Sequence, residues 1–179
     1  MFGIPWHPIL VHFPIVLSVF LPILALVFWL TGHRSANRRK YWAGMVIVHA
    51  LVFGTGFLAM QSGESDEERV EKVLATEAPL EEHEHKGELF VQLSGAALLL
   101  AALGLAPGNL GLAGRGLAGL ASLALILVGV QAGHTGGKLV YKHGAAAAYA
   151  AEGSGTGAGA AAGAAEKSEG KSGSDEDDD

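Results

Sequence analysis

Apolar positions along this chain fall into four long runs, 8–31, 41–60, 89–106 and 117–133, separated by two short breaks and, between the second and third runs, a long polar stretch. Each approaches the ~20 residues that a helix rising ~1.5 Å per residue needs to cross a hydrocarbon core ~30 Å thick. The pattern predicts helices over about 8–31, 41–61, 88–106 and 115–135, and so an all-α integral membrane four-helix bundle. Residues 1–144 form the transmembrane domain in this reading, with a long polar loop over 62–87.

That loop has a local pattern of its own. Ser65 followed by Glu68 reads as a capping box, and Val70, Val73 and Leu74 give a short helix one apolar stripe, with Pro79 expected to stop it. From 145 to 179 the chain is rich in Ala, Gly and Ser and ends in acids. It has too few large apolar groups to offset the entropy of ordering, so it is expected to be a disordered acidic tail.

Composition supports the membrane assignment. Half of the residues are hydrophobic, and the charges are gathered into a few stretches. No basic segment precedes the first run, which is too long for a removable signal and is read as an anchor. Cysteine is absent, which excludes disulfides, thiolate metal sites and covalently attached c-type haem. Arg34, Arg38, Arg39 and Lys40 follow the first run and Arg115 precedes the fourth, without acids in either loop. Basic short loops face the cytoplasm. Both termini are therefore expected outside a bacterial inner membrane, in the periplasm.

Histidines carry the candidate chemistry. Alternating helix direction brings His7, His12, His83, His85, His134 and His143 to the outer end, and leaves His33 in the basic loop and His49 near mid-membrane. A lone histidine at an interface is often only structural. Six at one end point further, because neutral imidazole is the commonest metal ligand and bundle haems are held by inward-facing imidazoles. His12 and His134 match in depth and are the expected axial pair, with His83 and either His7 or His143 available for a second haem b. Pro14 and Pro22 fall inside the first run, and a kink near His12 would re-aim that ring. Gly129, Gly133 and Gly137 recur every four residues beside His134 and suit close approach of a porphyrin or another helix. Tyr141, Lys138 and Lys142 are candidates for hydrogen bonds to a ligand or its propionates. His49 is expected to be a neutral ring bonded to a carbonyl or hydroxyl.

The stretches "HPILVHFPIVL" and "GHTGGKLVYKHG", with a histidine-bearing acidic segment before the third run, resemble the bacterial membrane family called domain of unknown function 2231. The resemblance spans about residues 5–144. It implies four membrane helices with histidines at one end, His7, His12, His134 and His143 falling on the end motifs, and His83 in preference to His85 before the third helix. Relatives joined to cytochrome c or Rieske-type domains imply respiratory electron transfer, with quinone, cytochrome c or a Rieske-type protein as partner.

A non-redox alternative stays open: a zinc or proton site lined by these histidines with Glu84 and Glu88, in a scaffold or transport subunit. Copper is disfavoured, because methionine occurs only at Met1, Met45 and Met60. No Gly-x-Ser-x-Gly, phosphate loop or His-Glu-x-x-His is present, so an electron-transfer component is favoured over a stand-alone enzyme. No nucleic-acid partner is expected. A homodimer or a subunit of a respiratory complex is the expected assembly.

Overall fold

The computed structural model describes residues 6–149 and contains four helices long and apolar enough to span a membrane: Trp6–Gly32, Arg38–Glu64, Ala78–Leu103 and Gly108–Tyr141. They pack as a bundle in which the third and fourth associate most extensively. Large side chains such as Phe20, Leu30, Leu99, Leu120 and Leu127 point outward. Small ones line the interior: Ser18, Ala25, Gly56, Ala59, Ser94, Ala97, Ala101, Ala118, Ser122 and Gly129 are buried. That is the distribution expected where lipid is the solvent, since small residues let backbones approach and nothing penalises an exposed leucine. The protein is a multi-pass membrane protein.

Buried positions recur at alternating steps of three and four, as in Trp42, Met45, His49, Val52, Gly56 and Ala59, which is the seam of a left-handed bundle. The second hairpin of helices repeats the first. Pro14, Ser18, Leu21, Ala25 and Phe28 on the first helix have the spacing of Phe90, Ser94, Ala97, Ala101 and Gly104 at the third. Trp42, Met45, His49, Val52 and Gly56 on the second have that of Arg115, Ala118, Ser122, Leu125 and Gly129 on the fourth. First and third helices run the same way, so the hairpins are related by a pseudo-two-fold axis along the bundle.

Several local expectations are corrected. The third helix starts at Ala78, well before its apolar run, because its first turns are polar and hydropathy does not register them. Leu80 anchors that start by packing with Val70 and Leu139. Pro79 opens this helix instead of stopping the short one, since a first-turn N–H has no partner to lose. Ser65 does not cap the short helix Glu67–Glu71: it ends the second span, and its hydroxyl donates to the Ser62 carbonyl at 2.8 Å. Val70 is buried and Leu74 packs beside it, whereas Val73 is exposed. Gly144, at φ +74°, turns the chain so that Ala145 and Ala148 pack against Val70, Leu80 and Leu139. Residues 145–149 thus join the folded part, and the rest of the expected disordered tail lies outside the described residues.

Arg115, expected at the edge of the basic loop where the fourth helix begins, lies two turns inside that helix and is 8% exposed, with Nε–H donating to the Gly104 carbonyl at 2.7 Å. A guanidinium there satisfies a carbonyl that the end of the third helix leaves unpaired. The first helix is interrupted at Val11, three residues before Pro14, which lacks the N–H that would bond Leu10. Pro22 is accommodated inside the helix, which widens to a π-turn over Phe28–Gly32.

Candidate cofactor site

Heptad register decides which histidines face inward. His7 lies seven residues before Pro14 and His83 seven before Phe90, so both continue the seams of their helices. The first and third helices are related by the pseudo-axis, and the two rings meet there edge to face, centroids 6.0 Å apart and planes at 83°.

Each ring is held in the same way by the neighbouring helix of its own hairpin. His7 Nδ1 lies 2.8 Å from the Ala59 carbonyl oxygen and 3.2 Å from Ser62 Oγ. His83 Nδ1 lies 3.1 Å from both the Ala132 carbonyl oxygen and Thr135 Oγ1. Ser62 and Thr135 donate to those same carbonyls, at 2.6 and 3.0 Å. A carbonyl only accepts, so both Nδ1 atoms carry the proton and both Nε2 atoms are left as bases. Fixing the tautomer through Nδ1–H to a carbonyl is the usual support of a metal-binding imidazole. Glycine follows the hydroxyl in both motifs: a Cβ at Gly63 would stand 3.1 Å from the His7 ring, and one at Gly136 3.0 Å from the His83 ring.

Two imidazoles that share a metal must first stand at a suitable separation. With an imidazole nitrogen about 2.0–2.1 Å from the metal, two rings sharing it have centroids about 5 to 6.5 Å apart, from tetrahedral to linear geometry. The observed separation lies inside that interval.

The other sequence candidates lie elsewhere. His12 is exposed, and its Nδ1 turns back to the Pro8 carbonyl at 2.6 Å. His134 is also exposed, as are His85 and His143. The structure thus brings His7 and His83 together and leaves the expected pair, His12 and His134, on the outside, since equal depth does not fix rotation about the helix axis. Steps of four drift by about 40° each on a 3.6-residue helix, whereas a step of seven nearly returns to the same face. The same drift disperses the glycine stripe. Gly129 packs on Phe90, a Cβ at Gly133 or Gly137 would meet nothing within 4 Å, and it is Gly136 that shares the inner face. The fourth helix continues through Gly136 and Gly137, yet Tyr141 is 90% exposed and turned away.

Lys138, Lys142 and His143 line a cavity of about 270 Å³ with Ala78, Pro79, Glu82 and Thr135. Thr135 thereby joins this basic cavity to the His83 ring. Among the described residues, no three of His, Asp or Glu are grouped as a metal site, so Glu84 and Glu88 are not assembled with the histidines there.

His7 was available to sequence reading only as a reserve ligand. The signal that singles it out with His83 is the repeat "AMQSG" and "AGHTG", paired with a histidine on the preceding helix of each hairpin.

No curated protein and no solved structure matches the chain. Its hairpins, small-residue interior and histidine mouth accompany a family match over residues 3–148, and the chain belongs to that family, the predicted membrane proteins of DUF2231.

Proposed function

We propose that this protein is a membrane-bound electron-transfer component that holds a b-type haem between His7 and His83. The observation that carries the reading is the pair itself: two imidazoles on the pseudo-axis, each with Nδ1–H bound to a helix carbonyl and Nε2 left basic. Haem asks for two protein ligands because the porphyrin supplies four, whereas structural zinc asks for four and catalytic zinc for three. Gly63 and Gly136 keep bulk away from the rings. Lys138 and Lys142 offer cations to propionates at the adjoining cavity. Bound there, a haem would supply one-electron chemistry, while the protein's part is to fix ring orientation and to tune the iron through the Nδ1–H bonds.

In this reading the histidine end faces the outside of a bacterial inner membrane, where an external cytochrome c or Rieske-type protein meets it, and electrons come from quinone or a membrane partner. Arg34, Arg38, Arg39 and Lys40 support that orientation at the opposite end. The test is a reduced-minus-oxidised optical spectrum of the purified full-length protein. A Soret band with sharp reduced α and β peaks is expected. A colourless protein with bound zinc, or with no metal, overturns the haem reading and leaves the pair as a zinc or proton site.

A further inference from the structure

His49 is 1% exposed, in the middle of the second helix. Its Nδ1 lies 2.8 Å from the Met45 carbonyl oxygen, which makes Nδ1–H the donor and Nε2 a bare acceptor. That Nε2 is buried and has no hydrogen-bond partner among the described residues. The Ala118 backbone of the fourth helix comes near the ring, but its carbonyl is a second acceptor and cannot satisfy the first.

Each of the other three helices buries one hydroxyl close to this depth. The contacts of Phe28 with Trp42, of Phe90 with Gly129 and of Arg115 with Gly104 fix the helix registers. They set Ser122 level with His49, and Ser18 and Ser94 about one turn nearer the histidine end, or ~5 Å at ~1.5 Å per residue. All three hydroxyls donate to their own helix: Ser18 to Ile15, Ser94 to Val91 and Ser122 to Gly119. Each oxygen keeps lone pairs for another donor.

The pseudo-symmetry supplies an internal control. Ser122 occupies on the fourth helix the place that His49 occupies on the second, and the fold is served there by a side chain satisfied by its own backbone. An imidazole is therefore not what packing demands at this level. Its cost without a donor would be that of a buried unsatisfied group.

We infer that His49 Nε2 accepts a hydrogen bond from a buried water molecule, held between the second and fourth helices beside Ser122 and the Ala118 carbonyl. Water is the ligand that fits, because one molecule can donate to Nε2 and also to the Ala118 carbonyl or the Ser122 oxygen. The site lies ten to thirteen residues along the second helix from Ala59 and Ser62, about 15–20 Å from the histidine pair. It is a hydrated position independent of whether the mouth carries haem.

The test is solid-state NMR of the full chain in bilayers. His–Ala occurs only at His49–Ala50, so labelling those two residue types assigns the ring without a variant. We expect the Nδ1–H tautomer with a water-to-imidazole transfer peak on the Nε2 side, and loss of that peak in His49→Ser, a side chain the equivalent position already accepts. A ring in the Nε2–H tautomer, or one showing no transfer from water, overturns the assignment. Should His49→Ser fail to fold, the wild-type tautomer and transfer peak decide alone.

Discussion

The two helical hairpins are built to one plan and differ where their surroundings differ. Both carry a histidine at the mouth, an Ala-x-x-Ser/Thr-Gly motif that grips it, a buried serine on the leading helix, and a glycine, Gly56 or Gly129, against opposite edges of the Phe90 ring. At the other end the plan diverges. Where the first hairpin packs Phe28 against Trp42 with ring planes tilted at 59°, the second has Gly104 and Arg115 at the same places. The Trp42 indole crosses to the third helix, donates to Ala101 at 2.7 Å, and occupies the space that a side chain at Gly104 would need. Likeness is kept at the histidine mouth, and exchanged for complementarity where one half fills the other.

The largest expected effect comes from forcing the halves to be alike at the complementary end. Gly104→Leu would drive a side chain into Trp42 and cost its seat under the third helix. Overpacking of this kind costs about 1–3 kcal/mol, and losing the buried indole bond adds to it. We expect loss of folded protein, or a large fall in midpoint temperature in detergent. A near-native melting curve would show that Trp42 and Gly104 are not interlocked.

A smaller and symmetric effect is expected at the mouth. Gly63→Ala and Gly136→Ala each set a methyl within about 3 Å of a histidine ring. Each ring must shift by tenths of an ångström, at a cost of about 0.5–1.5 kcal/mol through off-rotamer strain. Alanine's helix preference of about 0.5–1 kcal/mol offsets much of that cost, so the melts of the two variants should move little and together, and the spectrum of any bound haem should change in both. A change in one alone would break the equivalence of the two motifs.

The smallest effect is expected at Gly133→Ala. Its Cβ would meet nothing within 4 Å, and alanine is favoured over glycine in a helix by about 0.5–1 kcal/mol. The same melts should show an unchanged or slightly raised midpoint. Marked destabilisation would return this glycine to a packing role.

Much of this plan was legible in the chain. Four spans follow from length and apolarity alone, and the histidine end from helix alternation. Rotation was harder. His12 and His134 match in depth but lie off the 3–4 seam, and depth alone does not distinguish a ring on the axis from one on the outside. Spacing seven from Pro14 and from Phe90 carried that information for His7 and His83, as did the paired "SG" and "TG" steps. The start of the third helix at Ala78 escaped because its first turns are charged and lie beyond the hydrocarbon, where hydropathy has nothing to measure. Arg115 reads as a loop charge because it stands just before the fourth apolar run. Only the contact with the Gly104 carbonyl accounts for a guanidinium inside the bundle.

The most direct test of the account is a set of four single variants of the full-length protein, His7→Ala, His83→Ala, His12→Ala and His134→Ala, each read by optical and electron paramagnetic resonance spectra with haem content. Losing one axial imidazole leaves a high-spin or empty site, whereas losing a histidine outside the iron's shell leaves the low-spin signal in place. Low-spin haem is expected to be lost in His7→Ala and His83→Ala, to the same degree, and kept in the other two. Unchanged low-spin spectra in His7→Ala and His83→Ala, or their loss in His12→Ala and His134→Ala instead, would contradict it.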